Sequence, residues 1–159
     1  MAFIRELKPE DDRALAIVIR TVLIAIGVPK VGTAYEDPEL DLMSAAYTTP
    51  RSVYYVVEED GKILGGAGIA PLAGADPTTC ELQKMYFLPS ARGRGLGQQM
   101  IQKCLTFAKH NDFKLCYLET LPYMKAAQKL YLKTGFKYIQ HPMGNTGHSS
   151  CDLWLTKEL

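Results

Sequence analysis

The sequence predicts a mixed α/β (α+β) domain with about six or seven strands and about four helices. Runs rich in β-branched and aromatic residues alternate with segments of helical period, and the elements follow the order β-α-α-β-β-β-α-β-α-β-β. The chain has 159 residues, which is about one domain, so we expect a single domain over residues 1–159.

The first elements are a short strand and a long helix. Residues 3–6 suit a strand, and residues 8–12 open a helix because a proline and several acids crowd its first turn. Pro29 helps to end this helix. Its apolar run from Ala14 to Val28 is shorter than the roughly 20 residues of a membrane span and contains Arg20, so we expect a buried helix.

A second, shorter helix and a hairpin follow. Asp37 begins a helix that extends to about Ala46. Residues 53–57 and 63–70 are strands, and the Asp-Gly pair at residues 60–61 is typical of the turn between them.

The third long strand, from Thr78 to Leu88, has an irregular pattern. Its apolar residues alternate through Cys80 and Leu82 and then change phase to Met85 and Phe87. A β-bulge produces such a one-residue slip. A regular strand buried on both faces is the other interpretation.

The remaining elements also follow from hydrophobic periodicity and from glycine and proline residues at their ends. A glycine-rich segment precedes an amphipathic helix, and a polar loop at residues 141–150 separates the last two strands. The expected elements are a helix over 96–108, a strand over 114–120, a helix from Met124 stopped by Gly135, and strands over 136–140 and 151–156.

Charge and cysteine usage exclude several classes. The 18 basic and 17 acidic side chains give a net charge of +1, which argues against a nucleic-acid or anionic-membrane partner. The 4 cysteines form no C-x-x-C, and no basic, apolar leader begins the sequence. We therefore expect free thiols and a cytoplasmic location.

Glycines at alternate positions lie between the third strand and the following helix. Gly93, Gly95 and Gly97 allow several backbone N–H groups to point at one anion near a helix N-terminus, and Arg92 and Arg94 add positive charge. A flexible turn that needs left-handed backbone angles is the alternative.

Two familiar phosphate motifs fit this segment badly. A Walker A loop needs Lys after its last glycine, but Gln98 follows Gly97. In the dinucleotide fingerprint Gly93 and Gly95 match, whereas the last glycine is replaced by Gln98. Glu119 lies near the end of the next strand, where a ribose-binding acid would be expected, so a nucleotide-binding protein remains one hypothesis.

Two segments resemble the GNAT superfamily of N-acetyltransferases. Arg92-x-x-Gly95-x-Gly97 is similar to its acyl-CoA pyrophosphate motif, and residues 127–136 are similar to its A-x-x-L-Y-x-x-x-G-F segment. The resemblance covers about residues 78–139. It implies the acyl-CoA N-acyltransferase fold, with a central, mixed, mostly antiparallel twisted sheet.

The resemblance implies acetyl transfer from acetyl-CoA to an amine of a small molecule or peptide, by direct attack in a ternary complex and without a metal. The diphosphate needs N–H donors and positive charge, and the thioester needs an unpaired strand edge. The expected cofactor-binding residues are Met85, Tyr86, Phe87, Arg92, Gly93, Arg94, Gly95, Leu96, Gly97 and Gln98.

The resemblance also implies catalytic residues. Tyr131 matches the tyrosine of the family motif and is the expected acid, although it also fits a core aromatic. Glu81 is the expected base, with an exposed strand residue as the alternative, and Glu119 or water are substitutes. Met124 stands where many members have Asn, a departure that favours a second hypothesis, a non-catalytic acyl-CoA sensor or interaction module.

The other polar residues carry weaker expectations. His141 and His148 are seven residues apart without a third ligand, so we expect no metal site. In the fold that the resemblance implies, residues 35–37 cover the acceptor pocket, where Glu36 and Asp37 would suit a cationic amine; a solvated loop is the alternative. The final strands offer a sheet edge to a second copy of the chain, as in a homodimer.

Overall fold

A computed structural model describes all residues, 1–159, and contains one seven-stranded sheet and four α-helices. Short 3₁₀ turns at 9–11, 34–36, 38–42 and 89–91 precede or join these elements. The strands are β1 (Phe3–Glu6), β2 (Val53–Glu59), β3 (Lys62–Pro71), β4 (Thr79–Phe87), β5 (Leu115–Thr120), β6 (Lys137–Ile139) and β7 (Leu153–Glu158). The helices are α1 (Asp12–Ala25), α2 (Met43–Ala46), α3 (Leu96–His110) and α4 (Lys125–Thr134).

The sheet has the order β1-β2-β3-β4-β5-β7-β6 and is antiparallel except between β4 and β5. The parallel pair needs a crossover, which α3 provides. The predicted mixed, mostly antiparallel sheet with flanking helices is therefore confirmed.

Each face of the sheet is covered by a hydrophobic cluster. Leu15 and Ile19 of α1, four residues apart on one helix face, are fully buried against one side. Met100 and Cys104 of α3 are fully buried against the other, where Phe136 joins them. Packing on both faces therefore stabilises the sheet.

Two element bounds differ from expectation. The predicted helix over residues 37–46 is a 3₁₀ turn at 38–42 followed by the four-residue α2, because Leu42 leaves the helical region with φ −136° and ψ 52°. The last strand begins at Leu153, so Cys151 lies in the preceding loop.

The phase slip in β4 is a β-bulge. Gly66 pairs with Tyr86 but Gly68 pairs with Gln83, so β4 has one more residue than β3 in this interval. Lys84, within it, has a φ of +48°. The alternative of a regular strand is wrong.

The strands β4 and β5 diverge just before this bulge. Their parallel pairing covers only residues 79–81 of β4 and 115–117 of β5. Beyond Glu81, the edge of β4 that faces β5 has no partner strand. The divergence opens the centre of the sheet, and the candidate site lies there.

None of the helices combines the length and apolar character needed to cross a membrane. The apolar run in the first part of the sequence forms α1, which has 14 residues.

Candidate active site

A cavity of about 670 Å³ lies beside the free edge of β4, between the start of α3 and the start of α4. Its lining is mainly apolar. Nine of the ten residues expected to bind the cofactor line it: Met85, Tyr86, Phe87, Arg92, Gly93, Gly95, Leu96, Gly97 and Gln98.

The glycine loop shapes one end of this first cavity. Gly93 and Gly95 have φ values of +71° and +76°, which side chains other than glycine rarely adopt. They turn the chain into α3, whose first N–H groups, at residues 96–98, have no acceptor within the helix. A Cβ on Gly97 would lie 3.0 Å from Leu130 Cδ2, so glycine keeps this end open. The loop is therefore built to receive an anion.

The two arginines of the loop differ in position. Arg92 lines the cavity and donates through Nη2 to the Phe87 carbonyl at 2.9 Å, which ties the loop to the end of β4. Arg94 does not line the cavity. Its guanidinium pairs with Glu59 at 2.6 Å and also donates to the Ser90 carbonyl.

Tyr131 projects from α4 into the first cavity and is 6% exposed. Its ring packs edge-on against Phe136, with centroids 6.0 Å apart. Burial raises the pKa of its hydroxyl. The phenol is thus protonated near neutral pH and can donate its proton.

A second cavity, of about 500 Å³, has a predominantly polar lining. It is enclosed by residues 34–39, by residues 71–73, by residues 81–86 of β4, by Glu119 of β5 and by residues 145–151 of the late loop. Glu81, the expected base, lines this cavity.

Glu81 is buried rather than exposed on its strand. It is 7% exposed and accepts a hydrogen bond from Gln83 Nε2 at 2.7 Å, while Gln83 Oε1 accepts one from Tyr47. Burial raises the pKa of Glu81 to about 7, and repulsion from Glu119 acts in the same direction. A carboxyl with such a pKa is suited to accept a proton near neutral pH.

Four ionisable side chains form a row of close pairs across the second cavity, in the order Glu39, Lys84, Asp37 and His148. Lys84 Nζ lies 2.8 Å from Asp37 Oδ2 and 3.0 Å from Glu39 Oε1, and His148 Nε2 lies 2.9 Å from Asp37 Oδ1. Burial alone would raise the pKa of Asp37, but His148 and Lys84 outweigh it and leave that pKa below its usual value.

Sequence reasoning missed Lys84, Gln83 and the part played by His148. The phase slip in β4 was the available signal for Lys84, because a bulge redirects the side chains around it. Nothing local marks His148, which meets Asp37 across 111 residues of chain.

Glu119 is held at the inner end of the second cavity. Tyr117 donates to its Oε2 and Thr146 to its Oε1, both at 2.6 Å. His148 Nδ1 lies 3.7 Å from Glu119 Oε1.

A narrow space of about 40 Å³ adjoins both cavities. Tyr86 lines all three spaces, Tyr131 and Met124 belong also to the first cavity, and Lys84 and Glu119 belong also to the second. The two cavities therefore adjoin at the gap between β4 and β5, with the Tyr131 phenol on the side of the first and the Glu119 carboxylate on the side of the second. This arrangement suits the transfer of a group from one ligand to another.

Comparisons with known proteins agree with this geometry. The model of the acetyltransferase (GNAT) family matches residues 23–136. The uncharacterized N-acetyltransferase YjgM of Escherichia coli K12 is 42% identical over 156 residues, which is 98% of this chain and 93% of that protein. The uncharacterized N-acetyltransferase Rv2669 of Mycobacterium tuberculosis is 30% identical over 133 residues, covering 80% of this chain and 83% of the relative.

Solved structures share the fold. A GNAT-family acetyltransferase from Staphylococcus aureus superposes with a TM-score of 0.88 at 18% identity and 99% coverage of both chains. The putative acetyltransferase yncA from Salmonella typhimurium, solved with its cofactor acetyl-CoA, superposes with a TM-score of 0.80 at 18% identity, covering 99% of this chain and 94% of that one. The chain belongs to the GNAT family of N-acetyltransferases and is an acetyl-CoA-dependent acyltransferase.

Proposed function

We propose that this enzyme transfers the acetyl group of acetyl-CoA to a primary amine of a small molecule or peptide, by direct attack in a ternary complex. One observation carries the proposal: two cavities meet where β4 and β5 diverge, with Tyr131 lining the first and Glu81 lining the second. Each substrate would enter from its own side.

The first cavity fits acetyl-CoA. The N–H groups at the start of α3 would hold the diphosphate together with Arg92. The free edge of β4 at residues 85–87 would receive the pantetheine arm, and a backbone N–H there would polarise the thioester carbonyl. The sequence predicts that Arg94 binds the cofactor, but its ion pair with Glu59 supports a role in stabilising the loop.

The second cavity supports deprotonation of the amine. A free alkylammonium has a pKa near 10, so it must lose a proton before it can attack. Glu81 would take that proton directly or through water. The neutral nitrogen would then bond to the carbonyl carbon, the C–S bond would break, and Tyr131 would give its proton to the leaving thiolate.

The charges in the second cavity favour a cationic acceptor without a carboxylate. Five carboxylates line it against two basic side chains, and both basic groups are already paired with Asp37. The side chain of Lys84 is 5% exposed, so it is not free to bind an acceptor carboxylate. The five acids are Glu36, Asp37, Glu39, Glu81 and Glu119.

An acyl-CoA sensor on the same fold is the second candidate. Met124, in place of the family Asn, lies directly before α4, and its sulfur accepts a hydrogen bond from Thr120 at 3.5 Å. It offers no amide to the pantetheine. A sensor would bind acetyl-CoA without turning it over.

Location and assembly complete the proposal. All four cysteines are free thiols, three of them buried, which suits the cytoplasm. The edge strand β6 leaves one side of the sheet open to a second copy.

Calorimetry and a thiol-release assay test the proposal together. We expect acetyl-CoA and CoA to bind and ATP not to bind, and we expect CoA release with diamines or lysine-containing peptides. Binding of acetyl-CoA without release on any amine would favour the sensor. Absence of acyl-CoA binding would contradict both functions.

A further inference from the structure

Three side chains of different metal-binding chemistry meet at the inner end of the second cavity. A carboxylate oxygen of Glu119, a ring nitrogen of His148 and the sulfur of Cys151 all lie within 4.8 Å of one another. The spacing of the histidines in the sequence gave no metal site. The fold supplies two further ligands beside His148, because the late loop brings His148 and Cys151 against Glu119 at the end of β5.

The histidine is oriented as in a metal site. Its Nε2 lies 2.9 and 3.0 Å from the two oxygens of Asp37. An ionised carboxylate can only accept, so Nε2–H donates to Asp37, and Nδ1 is the ring nitrogen that faces Glu119. A metal bound at Nδ1 would displace any proton held there. A carboxylate bound to the second ring nitrogen is the usual partner of a metal-ligating histidine.

The carboxylate is oriented as well. Tyr117 and Thr146 each donate to a different oxygen of Glu119, and each oxygen keeps a further lone pair. Cys151 is a half-buried free thiol, the least buried of the four cysteines. Hydrogen bonds from neighbouring side chains thus already orient two of the three residues, His148 and Glu119.

We propose that Glu119, His148 and Cys151 bind a zinc ion, with the fourth position open to the second cavity. Tetrahedral zinc places such ligand atoms about 3.4–3.6 Å apart, given bonds of about 2.0–2.3 Å. The Nδ1 to Oε1 separation of 3.7 Å is close to this, and small side-chain rotations would close the rest. A thiolate–imidazole–carboxylate set selects zinc or cadmium over magnesium and calcium, which prefer oxygen ligands. The thiol would lose its proton on binding.

The position of the cluster gives the ion an effect. Glu119 and Cys151 line the narrow space between the cavities as well as the second cavity. An ion held there would occupy the inner end of the cavity and cancel the negative charge of Glu119 that attracts a cationic amine. Zinc would therefore inhibit by competing with the acceptor, a consequence that rests on the proposed function, whereas the site itself does not.

Metal titration tests the site without any activity measurement. The metal-free full chain is titrated with ZnCl₂ against a chromophoric chelator, and with CoCl₂ followed by absorption. We expect one zinc per chain and, with cobalt, a thiolate charge-transfer band. Cys151→Ser and His148→Gln should each weaken zinc binding by about 100-fold, and Asp37→Asn by about 10-fold.

His141→Gln is the matched control, because His141 is exposed in the same loop but stands outside the cluster. It should bind zinc as the unmodified chain does. Absence of stoichiometric zinc binding would overturn the site, and so would equal affinities for Cys151→Ser, His148→Gln and His141→Gln.

Inhibition is measured separately, as each variant's rate with zinc relative to its own rate without it. Zinc should raise the KM for the amine and leave the KM for acetyl-CoA unchanged, and Cys151→Ser should remove the effect. Zinc bound at the cluster without inhibition would overturn the competition while leaving the site. If no amine is acetylated, the proposed function fails and the titration still decides the site.

Discussion

The two cavities of this enzyme are built in different ways. The first is lined mainly by two stretches of chain, residues 85–98 and 123–131, and backbone N–H groups at the start of α3 are prominent among its polar features. The second is assembled from five separated segments, and its polar features are side chains that pair with one another. In the proposed function, backbone groups of the motif would hold acetyl-CoA in the first cavity, whereas side chains from separate segments would select the acceptor in the second.

Tyr131→Phe is expected to have the largest effect, because it removes the proton donor of the first cavity. General acid catalysis contributes about 100- to 10,000-fold, so kcat should fall by about 1,000-fold. The KM for acetyl-CoA should change little, since phenylalanine keeps the ring and its edge-on packing against Phe136. Steady-state thiol release measures both constants.

Tyr138→Phe is the matched control, since Tyr138 is half-exposed and its hydroxyl contacts Gln128 outside both cavities. It should keep kcat within about twofold of the parent. Equal rates for the Tyr131→Phe and parent enzymes would remove Tyr131 as the acid.

Glu81→Gln tests the second cavity. The base acts only when it is deprotonated, so its contribution rises with pH through about 7. Glu81→Gln should lower kcat by about 100-fold at pH 8, by less at pH 5.5, and should remove the rise near pH 7. A pH profile of kcat for both proteins measures this.

Stability gives an independent check on Glu81. Its folded pKa is raised, so folding is favoured while the group stays protonated and loses free energy as pH rises from about 4.5 to about 7. Glu81→Gln should therefore gain stability relative to the parent between pH 5 and pH 8, by at most about 3 kcal/mol. A difference that does not change with pH would contradict the raised pKa.

The contrast between the cavities also explains what the sequence could predict. The glycine loop, the phase slip in β4 and the tyrosine of α4 are local patterns, and each marks the first cavity. The Lys84–Asp37 and His148–Asp37 contacts depend on the bulge and on a late loop without regular structure. No local pattern in the sequence encodes these contacts, so only Glu81, Glu119 and the acids near residue 37 were predicted on that side.

Gly95→Ala tests whether the backbone conformation of the glycine loop contributes to acetyl-CoA binding in the first cavity. Alanine at a φ of +76° costs about 1–2 kcal/mol, and relief of that strain would redirect the N–H groups at the start of α3. We expect the KM for acetyl-CoA to rise about 10-fold, with the KM for the amine unchanged.

Gly61→Ala is the control for that strain. Gly61 has a φ of +77° in the turn between β2 and β3, and a Cβ on it would meet nothing within 4 Å, as at Gly95. Both variants should lose similar stability, measured by urea unfolding, but only Gly95→Ala should raise the KM. A rise in both would indicate that lost stability, and not the loop, weakens binding.

Glu39→Gln is expected to have the smallest effect of these substitutions, and to change only the KM for the acceptor amine. Glu39 is partly exposed at the rim of the second cavity, and Lys84 keeps Asp37 as a partner when Glu39 is neutral. Removing one of five carboxylates weakens long-range attraction for a cation, so the KM for a cationic amine should rise about threefold and the difference should shrink in high salt. Glu10→Gln, an exposed position outside both cavities, should change neither KM. A lower KM for the cationic amine in Glu39→Gln would show that the negative charge of this cavity does not select the acceptor, and would leave its shape as the determinant.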